Sequence, residues 1–275
     1  SDPVIEHTLP VRIGDLEIDI QNYSEMVIKG SNKDEYIALT MFAFALNAIH
    51  KKNYADVSRY KEAFLKRSTM KCFEIQDRRN PHISPLISVI IVAYKTNNDL
   101  ISCINSLLVS KISFEYEIIV FDNGGNESVY SVLNSLPILH IRSPLNLMPS
   151  YGRNVSANLS LGKIVAFLDD DAIAGEKWLF SIAESFYSID GVIGIRGKVL
   201  PKSEKAFISS KPHYDLGDQS IFISYIDTEG NSAFLKETYI QIGGMDPCQF
   251  GGESFELSYK IEKVYGFGKI AYNPS

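Results

Sequence analysis

The spacing of apolar residues changes along this chain, and the change divides it near residues 77–85. Upstream, Leu16-Glu17-Ile18-Asp19-Ile20 alternates apolar and polar side chains, the period of a half-buried strand. Residues 34–50 and 54–73 carry helix-like spacing, as in Ile37, Met41, Phe44 and Ala48, and Asn53 separates them. A helical hairpin is expected there. The polar stretch 77–82, followed by Pro85, reads as a linker. Beyond it, residues 87–93 form a short apolar run rich in β-branched side chains, the mark of a strand buried on both faces. A helix follows at 97–109 through Leu100, Ile104 and Leu107, then a strand at 117–121 and a short helix at 129–136. A third strand fits 138–141 and a helix 150–159; a fourth strand at 163–168 runs directly into three aspartates. Two more helices are expected at 176–186 and 253–264.

Strands alternating with helices predict an α/β domain at 83–275, with a Rossmann-like, mainly parallel sheet flanked by helices. A small, mainly helical appendage at 1–82 precedes it. This appendage is read as a packing element or as a docking surface for a partner, an acceptor or a membrane face. In open α/β sheets ligands bind at the carboxyl ends of the strands, which directs attention to the residues just after each one.

Composition narrows the classes. Apolar residues make up 45 % of the 275 and charged residues 22 %, so the chain can bury a core. A net charge of −6 argues against nucleic acid as a partner. Cys72, Cys103 and Cys248 are odd in number and scattered, which fits packing residues in a reduced compartment. The apolar stretch 41–49 is far shorter than the roughly 20 residues a spanning helix needs. The expected location is cytoplasmic, with the inner face of the membrane as a further option.

Four segments could carry chemistry. Asp169-Asp170-Asp171 follows an apolar strand, where adjacent carboxylates repel unless a cation sits among them; Mg²⁺ or Mn²⁺ suits all-oxygen ligands shared with phosphates. Asp122-Asn123-Gly124-Gly125 closes another strand, and a carboxylate there can accept a hydrogen bond from a nucleobase imide. Arg153 and Asn154 enter a helix near the same edge, and arginine suits diphosphate oxygens. The stretch 243–257 holds paired glycines, then Glu253 and Glu256 at a helix start, positions for a base that removes a hydroxyl proton. Each has a plainer reading as an acidic turn, a cap, a surface ion pair or a dipole-stabilising carboxylate.

In this order, SVIIVAY at Ser88, EIIVFDN at Glu117, GRN at Gly152, FLDDD at Phe167, GGMD at Gly243 and GGESFELSYKI at Gly251 resemble the family 2 inverting glycosyltransferases of GT-A fold. The resemblance implies sugar transfer from a nucleotide-sugar, most often a UDP-sugar, to a hydroxyl of a glycan, lipid-linked or protein acceptor, as in bacterial-type polysaccharide or glycoconjugate synthesis. Ala93 and Tyr94 would line the nucleotide pocket and Asp122 would bind the base, with Asn123 and Asp170 beside them. Arg153 would approach the nucleotide, Asp169 the ribose or metal shell, and Asp171 would hold Mn²⁺ or Mg²⁺ against the diphosphate.

Three positions depart from the family pattern. Glu253-Ser254 stands where the family commonly has Glu-Asp, which makes Glu253 the expected base, with Asp246 and Glu256 behind it. Met148 stands where Gly is usual, and the family's later metal-binding histidine would follow Ser275. A non-catalytic nucleotide-sugar-binding or scaffold protein is the alternative. A sugar-phosphate nucleotidyltransferase fits poorly, because 93–98 lacks a glycine-rich phosphate loop.

Overall fold

The computed structural model describes residues 73–143, 146–202, 214–246 and 252–275, together with the backbone of three short upstream strands. These are β1 (Val11–Ile13), β2 (Leu16–Ile20) and β3 (Met26–Lys29), which pair antiparallel in that order. The alternating run is thus a strand with the expected bounds. Except for Phe73, the expected helical hairpin at 34–73 lies outside the described residues, as do two of the three cysteines, Cys72 and Cys248.

Among the described residues a nine-stranded sheet runs in the order β10-β12-β9-β11-β8-β5-β6-β7-β4. Its centre is parallel: β5 (Ile87–Ala93) lies between β6 (Tyr116–Asp122) and β8 (Ile164–Asp169), and β7 (Leu139–Arg142) extends it beyond β6. β4 (Glu74–Asp77), upstream of the expected linker, pairs antiparallel with β7 at the edge. On the other side β11 (Asn231–Leu235) runs antiparallel between β8 and β9 (Gly194–Gly197). β12 (Ile270–Asn273) is parallel to β9 and carries the edge strand β10 (Ile221–Ile223). The sheet is therefore mixed, with its parallel strands where the continuous apolar runs are.

Those runs are continuous because both faces are covered. Ile90, Ile119, Phe121, Phe167 and Phe234 point to one face, under α3 (Pro149–Leu159), α5 (Lys236–Gln241) and α6 (Glu253–Tyr265). Val89, Ile91, Val120, Ala166 and Leu168 point to the other, under α1 (Asn98–Leu108), α2 (Tyr130–Leu133) and α4 (Trp178–Ser188). Leu100, Cys103, Ile104 and Leu107 of α1 are all fully buried, so the helical spacing read from the sequence is the face that meets the sheet. Cys103 is a packing residue, its thiol pushed up to about 12, first by burial and then by the nearby aspartates. No helix among the described residues is long and apolar enough to cross a membrane.

Candidate active site

Strand register assembles the site. Ala93 lies opposite Asp122 across β5 and β6, and Val92 opposite Asp169 across β5 and β8. Three neighbouring carboxyl ends therefore carry Ala93, Asp122 and Asp169 along one edge. The order reverses at β5, since β6 and β7 extend one way and β8 the other, and a crevice opens at such a switch point. β11 pairs Asn231 with Leu168, so its leading turn reaches the same edge. There the Asp169 amide donates to the Gly230 carbonyl, 3.1 Å. A Cβ on Gly230 would collide with the Asp169 carboxylate, so only glycine permits this approach.

On the β6 side, Asp122 is fully buried. Its Oδ1 accepts the Gly124 amide and Asn126 Nδ2, each at 2.8 Å. Its Oδ2 is buried, and the Tyr130 hydroxyl lies against the carboxylate: burial first, then a hydrogen bond to Asp122 and its charge, push that hydroxyl's pKa up. Asn126 Oδ1 accepts the amides of Thr96 and Asn97, at 3.0 and 3.1 Å, which folds the loop after β5 over this turn. Lys95 and Asn97 take φ values of 60° and 38°, sparsely populated for side-chain-bearing residues and concentrated at functional loops. Tyr94 is exposed beside it, and its hydroxyl lies below the usual range because the Lys95 ammonium bonds to it and attracts its charged form. Asn123 Oδ1 accepts the Leu147 amide at 3.1 Å, tying β6 to the segment that enters α3.

The three aspartates separate by direction. Asp169 Oδ1 pairs with Arg153 Nη2 at 3.2 Å. The Asp169 side chain is 54 % exposed, yet its surroundings push the carboxyl up: partial desolvation first, opposed by Arg153, then the charges of Asp171 and Glu229. Asp170 turns toward the β5 loop, where its Oδ2 accepts the Tyr94 amide at 3.0 Å and the Thr96 hydroxyl at 2.7 Å. Asp171 is exposed. Among the described residues no three His, Cys, Asp or Glu converge on a ready-made metal cage. Asp169 and Asp171 nevertheless fit a hard cation that takes its remaining ligands from a bound phosphate. Like charges crowd Asp169, and a cation would relieve that crowding.

Arg153 is itself nearly buried, with its guanidinium 5.9 Å from the Phe167 ring centroid and Nη1 4.0 Å from Met245 Sδ. Its neighbour Asn154 does structural work. Nδ2 donates to the Met245 carbonyl at 2.7 Å, while Oδ1 accepts the Met245 amide at 3.1 Å and the Tyr239 hydroxyl at 2.7 Å. The Gly243-Gly244-Met245 turn is thereby clamped to α3.

Of the expected base residues, Glu253 opens α6 and is 6 % exposed. Glu256 pairs with Lys260 at 2.7 Å, and its second oxygen is buried with no hydrogen-bond partner among the described residues. Burial pushes the Glu256 carboxyl up, and Lys260 opposes this. Asp246 is half-buried and close enough to raise Glu256 further. Sequence reasoning missed Glu229. Its Oε1 accepts both the Ser254 hydroxyl at 2.6 Å and the Ser254 amide at 3.2 Å. Burial pushes Glu229 up, but the bonds from Ser254, a bond from its own backbone amide and the charge of Arg153 together outweigh it, so the carboxyl lies below its ordinary range.

A mixed sheet of this order with helices on both faces is a GT-A fold. Residues 88–244, more than half of the chain, match the model of Glycosyl transferase family 2, and the chain belongs to that family. A 93-residue stretch is 34 % identical to the uncharacterized glycosyltransferase YfnE of Bacillus subtilis, covering 32 % of this chain and 24 % of that protein. Another, of 111 residues, is 23 % identical to the glucosyl-dolichyl phosphate glucuronosyltransferase of Haloferax volcanii, covering 35 % and 34 %. The matches thus span about a quarter and about a third of these relatives' own lengths. In structure, S. aureus TarS 1–349 superposes with a TM-score of 0.53 over 68 % of this chain and 60 % of its own, at 16 % identity. The mannosyltransferase PcManGT of Pyrobaculum calidifontis, solved with GDP-Man and Mn²⁺, gives 0.50 over 87 % and 68 %, also at 16 % identity.

Proposed function

We propose that this glycosyltransferase moves a sugar from a nucleotide-sugar, a UDP-sugar first among them, to an acceptor hydroxyl with inversion at the anomeric carbon. The reading rests on one observation above all: register sets a buried carboxylate, Asp122, and a like-charge cluster, Asp169 and Asp171, at the carboxyl ends of strands on either side of β5. Two strand spacings, roughly 10 Å, separate these positions, which leaves room for a nucleoside diphosphate with its base at one end and its phosphates at the other. Asp122 Oδ2 would accept the imide N–H of uracil, beside Tyr94 and Asn123. Asp169 and Asp171 would hold Mn²⁺ or Mg²⁺, which when bound offsets charge on the departing diphosphate. Arg153 keeps Asp169 oriented, and Asp170 ties the loop after β5 to the end of β8. TarS has been solved with UDP and with UDP-GlcNAc, and PcManGT with GDP-Man and Mn²⁺, which supports this class of donor. The acceptor we propose is a glycan or lipid-linked glycan in surface polysaccharide or glycoconjugate synthesis, reached from the cytoplasmic side.

Calorimetric titration with UDP and with GDP, with and without Mn²⁺, tests the donor half. Manganese-dependent UDP binding is expected, with at least a tenfold loss in Asp122→Ala and loss of the manganese dependence in Asp171→Ala. Normal UDP binding by both variants would remove the site assignment. Preference for GDP would redirect the donor class. A chain that binds donor without ever releasing the nucleoside diphosphate would support the non-catalytic reading instead.

A further inference from the structure

Proton removal from the acceptor needs a carboxylate that is ionised, reachable and fixed at the crevice, and the acidic groups at this edge differ in those respects. Asp170 is committed to the β5 loop through two hydrogen bonds. Asp169 is paired with Arg153, and Glu256 with Lys260. Glu253 is 6 % exposed, more enclosed than Glu229. Glu229 combines all three properties. It is half-buried, in the turn whose next residue, Gly230, is pressed against Asp169. Both bonds from Ser254 fall on one oxygen, Oε1, so the turn before β11 is tied to the first turn of α6.

We infer that Glu229 is the general base of this transferase, and that Ser254 is the residue that positions it. The inference rests on the transferase reading above and adds the group that reacts. Glu229 takes the proton of the acceptor O–H as its oxygen bonds to the anomeric carbon. The bond from that carbon to the diphosphate oxygen breaks, and its electron pair leaves with the nucleoside diphosphate. Water can serve as the acceptor by the same step, giving free sugar and nucleoside diphosphate. The unmatched Ser254 thereby acquires a purpose, since its hydroxyl and amide hold a carboxylate supplied from another strand.

The test uses the full chain with Mn²⁺ and either UDP-GlcNAc or GDP-mannose, following nucleoside diphosphate release with water as acceptor. Calorimetric binding of the nucleotide and thermal unfolding are measured on the same preparations. Glu229→Gln is nearly isosteric and is expected to bind nucleotide and unfold like the wild type while turnover falls about 100-fold or more, the scale of a lost general base. Ser254→Ala should lower kcat about tenfold with KM little changed, and Ser254→Thr, which keeps the hydroxyl, should recover most of that loss. A merely structural Ser254 would instead lower the unfolding temperature and leave kcat per folded molecule intact. Turnover of Glu229→Gln within threefold of wild type, or a larger loss in Glu253→Gln, overturns the inference while leaving the transferase reading in place. A wild-type chain that binds donor but never releases the nucleoside diphosphate would remove the transferase reading, and the inference with it. Failure to bind either nucleotide would remove the transferase reading first.

Discussion

Met148 shows how a single residue can carry a cost that its neighbours sustain. It precedes α3 with φ 71° and ψ 157°, a region that is essentially glycine's own. The resemblance marked this position as one where Gly is usual, and the reason is backbone conformation as much as pocket shape. Such a conformation costs about 1–3 kcal/mol for a residue with a Cβ. Glycine would relieve it while giving back roughly 0.5–1 kcal/mol in unfolded-state entropy. Met148→Gly is therefore expected to stabilise the fold by about 1 kcal/mol in urea unfolding; a destabilised variant would mean that Met148 packing outweighs the strain. At this scale the sequence shows a residue's type and never its distant partner. Asp122 was legible because an apolar strand ends on it and Gly124-Gly125 follow. Glu229 was not, since the residue that holds it lies 25 positions further along the chain.

Elements were legible where burial on both faces forces a continuous apolar run, as in β5, β6 and β8. The strands beyond β8 are three to five residues long, and β9 and β11 bury polar side chains, Arg196 and Ser232. Arg196 in β9 is 1 % exposed, paired with Asp227 and donating to the Tyr214 carbonyl at 3.1 Å. No local pattern announces a strand built around a buried guanidinium, nor that β11 will insert antiparallel between β8 and β9. β7 raises a similar point with a testable consequence. His140 is fully buried in it, edge-on to Tyr130 at 5.4 Å, and neither ring nitrogen has a hydrogen-bond partner among the described residues. Burial lowers its pKa, Arg78 adds to this and Asp122 opposes it. The folded chain thus holds His140 neutral at pH values where the unfolded chain, titrating near about 6.5, takes up a proton. Its stability contribution is complete above that pH and is lost as pH falls below it, by at most about 1.4 kcal/mol per unit. Urea midpoints at pH 7.5 and 5.5 should fall for the wild type and fall less for His140→Leu. Equal falls would assign the acid sensitivity to other groups.

For the molecule as a whole, the site has no single owner. The proposed base end is held by β6 and its turn, the proposed metal end by β8, the loop after β5 by Asp170, and the far wall by β11 and α6. A ligand spanning the crevice therefore cross-links strands on both sides of the switch point and should stabilise the sheet as a unit. Binding restricted to the folded state adds about 2.7 kcal/mol at a hundredfold excess over the dissociation constant. For a domain of this size that corresponds to a rise of roughly 5–10 °C in unfolding temperature. UDP and Mn²⁺ together are expected to give this rise, and either alone clearly less, because the nucleotide's phosphates complete the cation's ligands and the cation neutralises the phosphates. Asp171→Ala should lose the excess that manganese adds to UDP, whereas Asp122→Ala should reduce the shift with or without manganese. An unaltered manganese increment in Asp171→Ala would show that the cation binds elsewhere. The geometry argues against that, because the crowded carboxylate of Asp169 lies next to Asp171 and would be relieved by a cation there.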